Sequence, residues 1–433
     1  MQYHFECRRD KLESRGWIRG DELLSIEWSP ILEGNARTRA LEAVDGIAES
    51  LRASWRKNKR SAEPDLTLFE NPTLSEGTCG LAVFFAYLDR VRSGDDASTA
   101  AELLEQAMNK AAAAPMSSAL HGGFTGIAWS LAHLQEQLGD FDFEDPFAEA
   151  DGVLLDYVNR TPWRGDYGLI DGLVGYGIYF LERLPSASAV TCLERVIDRL
   201  SEIAVETPQG IGWQIPPESL PERVRKLCPQ GYYNLGMAHG VPGVIALLGA
   251  ACRAGVAEQK CKSLLAGAVP WLLAQRLDLA ATGLFPGAFT PGVKPEPVAG
   301  AAWDYGDPGI AMALMIAARG AENTRWRNEA LAVARHAATR PYEACGMEDA
   351  GFCQGTAGLA HLYNRMFQMT GDEVLRQAAR FWLEETVSLL REQTERAADP
   401  GILCGSAGTA LTLLAACTPV EPAWDRMFLV SSM

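Results

Sequence analysis

The chain has 433 residues, of which 48% are hydrophobic and 22% are charged, so it can bury a large core and is not a disordered segment. Its 55 acidic residues outnumber 39 basic ones, and the formal net charge of −16 excludes the basic surface typical of nucleic-acid-binding proteins. No apolar run of about 18 residues predicts a membrane span, and no signal peptide is apparent. We therefore expect a cytoplasmic protein with mostly free cysteines.

The first predicted element follows an N-terminal extension, residues 1–34. It is a helix that places Leu41, Val44, Ile47 and Leu51 on one side, with charged residues opposite. Such a pattern is typical of a helix with one buried and one solvated face. Stretches of this kind recur along the chain and predict an outer layer of helices.

A G-x-x-G turn followed by an apolar helix recurs seven times. The first glycines are 46 to 68 residues apart, and the segments that follow, such as IAMALMIAA, are apolar on nearly all sides, which indicates buried helices. The turns occupy residues 77–80 (GTCG), 123–126 (GFTG), 172–175 (GLVG), 240–243 (GVPG), 306–309 (GDPG), 355–358 (GTAG) and 405–408 (GSAG).

One buried and one amphipathic helix per repeat make a helical hairpin, and seven hairpins can stack as an open solenoid or close into a ring. The small residues of the buried helices favour the ring. We predict an all-α fold, an α/α toroid of seven inner and seven outer helices over residues 35–418, with a C-terminal tail at 419–433. Residues 207–233 and 282–300 form longer insertions, which are either loops over one end of the toroid or plain connectors.

The glycine turns would bring all the inner-helix N-termini to one end of the toroid, which we call the mouth. Free N–H groups at helix N-termini favour anions, including thiolates. The residues just before the first glycines are therefore candidates for an active site, and several of them are polar: His121, His239, Asp304, Cys353, Gln354 and Cys404.

Three segments resemble the LanC-like lanthionine cyclases. Residues 232–248 read YYNLGMAHGVPGVIALL, residues 303–309 read WDYGDPG, and residues 352–358 read FCQGTAG. They are similar to the family patterns N-L-G-x-A-H-G-x-x-G, W-C-Y-G-x-P-G and C-H-G-x-x-G. The resemblance extends over all seven repeats and implies an α-toroid, in agreement with the repeat count.

The resemblance implies a function as well. Members of this family close thioether rings in a dehydrated ribosomal precursor peptide, by adding a cysteine thiol to dehydroalanine or dehydrobutyrine. A zinc ion held by two cysteines and a histidine binds that thiol, lowers its pKa and keeps one position open for it. The partners implied are the peptide and possibly a dehydratase and a transporter.

The zinc ligands of the family fall on Asp304, Cys353 and Gln354, so two of the three are substituted. A carboxylate, a thiolate and an amide are a weaker set for zinc than two thiolates and an imidazole, which leaves zinc possible but doubtful. A metal pair of Asp304 and Cys353 completed by His239 or His121 is an alternative. An arginine and an aspartate of the family are also missing, since Gly300 and Gly168 occupy their positions, and we expect the nearby Asp166 and Asp171 to point elsewhere.

We predict His239, Asp304 and Cys353 as catalytic residues, with His239 moving the proton. The alternative is that His239 braces its turn and that Asp304 and Cys353 are a leftover turn residue and a buried thiol. Among the other candidates, local hydrogen bonding is expected for His121, core positions for His133 and His361, and packing for Cys79 and Cys404.

Two other functions remain open from the residues alone. The toroid could be a non-catalytic peptide-binding scaffold or chaperone of a lanthipeptide synthetase complex, since fold does not fix function. It could also carry out carbohydrate chemistry with a pair of carboxylates drawn from Glu76, Asp171, Asp304 and Asp307.

Overall fold

The computed structural model describes residues 28–60, 69–92, 94–138, 147–277, 283–295, 300–347, 349–392 and 399–431. Within these ranges fourteen helices alternate between an inner and an outer layer, and one short helix, α8 (Glu222–Leu227), lies in the first insertion. The inner helices are α2 (Thr78–Asp89), α4 (Phe124–Leu138), α6 (Leu173–Glu182), α9 (Val241–Arg253), α11 (Asp307–Gly320), α13 (Thr356–Thr370) and α15 (Ser406–Cys417). The outer helices are α1 (Gly34–Arg60), α3 (Asp96–Ala113), α5 (Ala148–Val158), α7 (Ala187–Glu202), α10 (Glu258–Leu273), α12 (Thr324–Ala338) and α14 (Glu373–Glu392).

A larger share of the residues is buried in the inner helices than in the outer helices, as the sequence pattern predicts. In α11 nearly every residue is buried, because this helix packs against α9, α12 and α13. In α14 the buried residues, among them Leu375 and Trp382, follow one stripe and leave the other face to solvent. The apolar inner helices thus supply the core that the outer helices cover.

The helices close into a ring, because the last inner helix α15 packs against the first, α2. The backbone amides of Ile402 and Leu403 donate to the carbonyl of Ser75 at 2.8 and 3.2 Å, which joins repeat seven to repeat one. The predicted toroid is confirmed over the described residues, and the open solenoid is excluded.

Backbone hydrogen bonds link neighbouring repeats just before their glycine turns. We call this series the inter-repeat belt. It comprises Ser75 N to His121 O (3.1 Å), His121 N to Ile170 O (3.5 Å), Ile170 N to Ala238 O (3.4 Å), Met237 N to Asp304 O (2.8 Å), Cys353 N to Leu403 O (2.8 Å) and Leu403 N to Ser75 O (3.2 Å).

The G-x-x-G spacing follows from how the chain doubles back on the start of each inner helix. A Cβ on the second glycine would overlap the carbonyl oxygen six residues earlier, for example that of Phe352 beside Gly358. The same relation holds at all seven second glycines, including Gly80 beside Leu74. Only glycine allows this approach, so the motif is a packing requirement of the toroid.

The two insertions pair with one another next to the turn of repeat four. Strand β3 (Tyr233–Asn234) is antiparallel to β4 (Ala288–Phe289). A hairpin of β1 (Val205–Thr207) and β2 (Gly210–Gly212) packs on the outer helix α10. The first insertion thus contains two three-residue strands, and beyond them Ile215 forms an isolated bridge with Tyr232. Residues 282 and 296–299 of the expected second insertion lie outside the described residues.

The C-terminal segment enters the ring instead of leaving it. A 3₁₀ turn, Ala423–Phe428, buries Trp424 and Phe428 inside the toroid. The indole N–H of Trp303 in repeat five donates to the Phe428 carbonyl at 2.9 Å, and the Phe428 ring stacks on Phe352 of repeat six at 4.2 Å. Most of residues 424–431, which lie in the expected C-terminal tail, are thus buried in the core.

The N-terminal extension is described only from residue 28, and residues 1–27 lie outside the described part. The Trp28 indole N–H donates to the Ala415 carbonyl at 2.8 Å, which attaches this segment to α15. Among the described helices none combines the length and apolar character needed to cross a membrane.

Candidate functional site

Repeat five differs from the other six in the loop that precedes its glycine turn. In six repeats an Asn, Ser or Asp side chain six residues before the first glycine accepts a hydrogen bond from the amide two residues further on. These pairs are Asn71 and Thr73, Ser117 and Ala119, Asp166 and Gly168, Asn234 and Gly236, Asp349 and Gly351, and Asp399 and Gly401. In repeat five the position is Gly300, and Gly306 adopts a φ of 139° that favours glycine.

The junction between repeats five and six has side-chain bonds at the belt position. The Gln354 amide nitrogen donates to the Asp304 carboxylate at 2.6 Å, and the second Asp304 oxygen accepts from the Tyr305 amide at 2.7 Å. The backbone bond between these two loops lies further from the turns, where the Ala301 amide donates to the Cys345 carbonyl at 2.9 Å, and no belt bond is found among the described residues directly before the two turns. The altered turn and the polar side chains therefore coincide at one place in the ring.

Asp304 is buried at 6% exposure, whereas Gln354 is exposed. Burial raises the pKa of the Asp304 carboxyl above its ordinary value, and the hydrogen bonds from Gln354, Tyr305 and Cys353 offset only part of that effect. Asp304 thus holds a proton more readily than an exposed aspartate does.

Cys353 lies between Asp304 and Cys404. Its interaction with Cys404, followed by burial and the nearby Asp304 charge, raises the pKa of Cys353. The same interaction lowers the pKa of Cys404. Cys353 is half-buried and Cys404 is exposed, so the prediction that Cys404 serves only packing is wrong. The contact arises because the turns of the successive repeats six and seven lie side by side, with the Cys353 amide donating to the Leu403 carbonyl.

His239 is half-buried on the repeat-four turn. That turn docks on the Asp304 turn, because the Met237 amide donates to the Asp304 carbonyl at 2.8 Å and the Asn234 side chain donates to the Tyr305 hydroxyl at 2.7 Å. The structure brings Asp304, Cys353 and Gln354 into direct contact, with His239 on the adjoining turn.

Gly168 allows the repeat-three loop to approach His239. A Cβ at Gly168 would lie 3.1 Å from the His239 Cα, closer than a side chain normally stands. The Asp166 carboxylate accepts from the Gly168 amide at 2.5 Å and therefore points into its own loop, as expected.

The other histidines have structural partners. His133 lies between the Tyr87 hydroxyl at 2.9 Å and Glu182 at 2.8 Å, and the fully buried His361 contacts Asp425 at 2.7 Å, in line with the core prediction. His121 was expected to bond locally, but its partner is distant in the sequence. Its Nε2 lies 3.3 Å from the carbonyl of Met427 in the C-terminal segment.

Other residues singled out from the sequence are placed as follows. Asp307 is buried, ion-paired with Arg340, and accepts from the amides of Leu284 and Phe285, so it is not available as a mouth carboxylate. Glu76 and Asp171 are exposed on their turns. The packing prediction for Cys79 agrees with its full burial, which raises its pKa to about 12.

The residues at the zinc-ligand positions do not fit that ion. Gln354 directs its amide N–H at Asp304, so these two side chains satisfy each other and do not present a shared set of lone pairs. The Cys353 thiol is likewise bonded to its neighbours. Among the described residues no group of three His, Cys, Asp or Glu side chains is arranged to hold a metal ion.

Comparison with known proteins agrees with this architecture. Residues 69–429 match the lanthionine synthetase C-like protein family. The chain is 24% identical over 343 residues to the nisin biosynthesis protein NisC of Lactococcus lactis subsp. lactis, covering 72% of this chain and 78% of that protein. The solved structure of a nisin cyclase superposes with a TM-score of 0.76 at 21% identity, over 89% of this chain and 97% of that one. The chain belongs to the lanthionine synthetase C-like family.

Proposed function

We propose that this protein closes thioether rings in a dehydrated ribosomal precursor peptide, by adding a peptide cysteine thiol to dehydroalanine or dehydrobutyrine. The family match along most of the chain supports this reaction. The observation that carries the proposal is the docking of the turn that bears His239 on the Asp304 turn at the mouth. This contact brings two proton-transfer groups to the same part of the ring.

The reaction forms one carbon–sulfur bond and moves one proton. The peptide sulfur bonds to the β-carbon of the dehydro-residue, the thiol loses its proton, and the resulting enolate gains a proton at the α-carbon. Imidazole is suited to accept the first proton near neutral pH, which is the role we assign to His239. Asp304, whose pKa is raised by burial, is placed to supply the second.

The ring around the mouth contributes by holding the two reacting groups of one peptide together. Thiol addition to an activated alkene gains much of its rate from such positioning. We assign zinc no role in this reaction, because the side chains of Asp304 and Gln354 bond to each other. We also expect the protein to act in the cytoplasm, after a dehydratase and before a transporter.

A peptide with one cysteine and one dehydroalanine tests the proposal. Ring closure removes the free thiol without changing the peptide mass, and we expect His239→Asn to slow it about 100-fold. The matched control is His336→Asn on the outer helix α12, which should retain the wild-type rate. Thiol loss no faster than in buffer, with the peptide still bound, would instead identify a non-catalytic scaffold.

A further inference from the structure

Cys353 and Cys404 are neighbouring thiols on the turns of repeats six and seven. The Cys353 amide donates to the Leu403 carbonyl at 2.8 Å, and a Cβ on Gly351 would overlap the carbonyl oxygen of Cys404. The two loops are therefore in backbone contact, and each carries one cysteine at the contact. A disulfide joins cysteines whose Cα atoms are about 4.4–6.8 Å apart, and a backbone hydrogen bond from Cys353 to the residue before Cys404 is compatible with that range.

The two thiols differ in how solvent reaches them. Cys404 is exposed, whereas Cys353 is half-buried between Cys404 and Asp304. An exposed thiol with a second thiol on the adjacent turn is the arrangement in which cysteine oxidation is reversible, because the exposed thiol meets the oxidant and the second thiol displaces the adduct.

A second pair of cysteines shows what this arrangement adds. Cys252 and Cys261 interact electrostatically, but both are buried, at 4% and 0% exposure. Burial raises the pKa of Cys261 to about 12, so neither the thiolate nor the access needed for exchange is present there. This pair is an internal control for the pair at the mouth.

We propose that Cys404 and Cys353 form a reversible oxidation site that reacts with low-molecular-weight disulfides. The Cys404 thiolate attacks the disulfide, forms a mixed disulfide and releases one thiolate, which takes up the Cys353 proton. The Cys353 thiolate then attacks the Cys404 sulfur, closes the internal disulfide and releases the second thiolate, which takes up the proton that Cys404 gave to the solvent on ionising. Overall the two cysteines lose two electrons and two protons, and the small disulfide is reduced to two thiols.

The internal disulfide would alter the candidate site. It removes the S–H through which Cys353 contacts Asp304 and fixes the turns of repeats six and seven to one another. This consequence, unlike the modification itself, depends on the proposed ring-forming activity. We expect ring closure to stop in the oxidised protein and to return after reduction.

Glutathione disulfide is the probe for the modification. The full-length protein is incubated with it, alkylated while unfolded, and digested without reductant. We expect one cross-linked peptide pair joining Cys353 to Cys404, lighter by two hydrogen atoms than the two thiol peptides, with Cys252 and Cys261 alkylated. In Cys353→Ser the mixed disulfide should remain on Cys404, and in Cys404→Ser Cys353 should stay reduced. A mixed disulfide that persists on the wild-type Cys404, or preferential linkage of Cys252 to Cys261, would overturn the proposal.

The functional consequence is tested on the same samples after gel filtration. We expect ring closure to fall at least tenfold on oxidation and to recover with dithiothreitol in wild type, while the oxidised-to-reduced ratio stays near one in Cys404→Ser. A disulfide that forms without changing the rate would overturn the effect on the site. If no sample closes rings, the proposed function fails, whereas the mapped disulfide is an independent result.

Discussion

The side-chain amide of Gln354 donates a 2.6 Å hydrogen bond to the carboxylate of Asp304 across the junction of repeats five and six. These two residues occupy positions where relatives of this fold hold a metal. Here they satisfy each other, and the inter-repeat belt changes from backbone to side-chain bonding at this junction. The substitutions at the two positions are therefore complementary, because one supplies the donor and the other the acceptor.

This complementarity predicts a low affinity for zinc. We expect the purified protein to contain well below one zinc per chain, measured by atomic emission after exposure to zinc and gel filtration. The double variant Asp304→Cys, Gln354→His adds one thiol and one imidazole beside Cys353, which makes a set of two thiols and an imidazole, and it should bind zinc stoichiometrically. Stoichiometric zinc in the wild-type protein, lost in Asp304→Ala, would contradict the interpretation of the pair.

The glycine turns predict a large stability effect from one methyl group. Gly358→Ala places a Cβ against the Phe352 carbonyl oxygen, so we expect the free energy of unfolding to fall by about 2 kcal/mol or more. Gly46→Ala is the control, because this position in α1 has open space and should gain about 0.5–1 kcal/mol. Both are measured by urea denaturation, and equal effects at the two positions would disprove the packing account of the motif.

The C-terminal segment is expected to stabilise the ring through a buried ion pair. Asp425 is fully buried between Arg365 and His361, and these contacts lower its pKa to about 2 despite the opposing effect of burial. Asp425→Asn removes the charge that balances Arg365, and we expect a loss of about 3–5 kcal/mol in unfolding free energy. The matched change Glu421→Gln, at a carboxylate that is 49% exposed, should cost less than about 1 kcal/mol. Comparable losses of unfolding free energy in the two variants would show that the burial of Asp425 does not determine its contribution to stability.

Stability should also depend on pH through His121. Burial, the largest cause, lowers the pKa of His121 from 6.5 to about 4 in the folded protein. Between these values the unfolded chain binds more protons than the folded one, so the free energy of unfolding falls as the pH falls, by up to about 3 kcal/mol from this residue. In His121→Phe, the free energy of unfolding should change less steeply with pH between pH 6.5 and 4. Part of the pH dependence should remain, because burial also lowers the pKa of His361. An unchanged slope would contradict a buried neutral imidazole at this position.

Much of the fold could be predicted because its signals are local. The stripe of Val44 and Leu51 in α1 and the apolar run of α11 report burial through helical periodicity alone. The seven glycine turns gave the repeat number, and the small residues of the inner helices favoured closure. The side-chain acceptor six residues before the first glycine of six repeats, as at Asn71, is an equally periodic signal in the sequence.

The rest of the site depends on contacts between distant parts of the chain. Cys353 and Cys404 lie on the turns of successive repeats, but the exposure of Cys404 cannot be read from either turn alone. The burial of Phe428 likewise requires the complete toroid around it. Asp304 and Cys353 could be placed together because they hold equivalent positions in successive repeats.

The most direct test of the proposed activity is ring closure by protein that has been stripped of metal with a chelator. A dehydrated peptide with one cysteine is incubated with this protein, and its free thiol and its mass are followed with time. The account predicts thiol loss at constant mass, faster than in buffer and abolished in the double variant His239→Asn, Asp304→Asn. A thiol that persists as long as in buffer would contradict it.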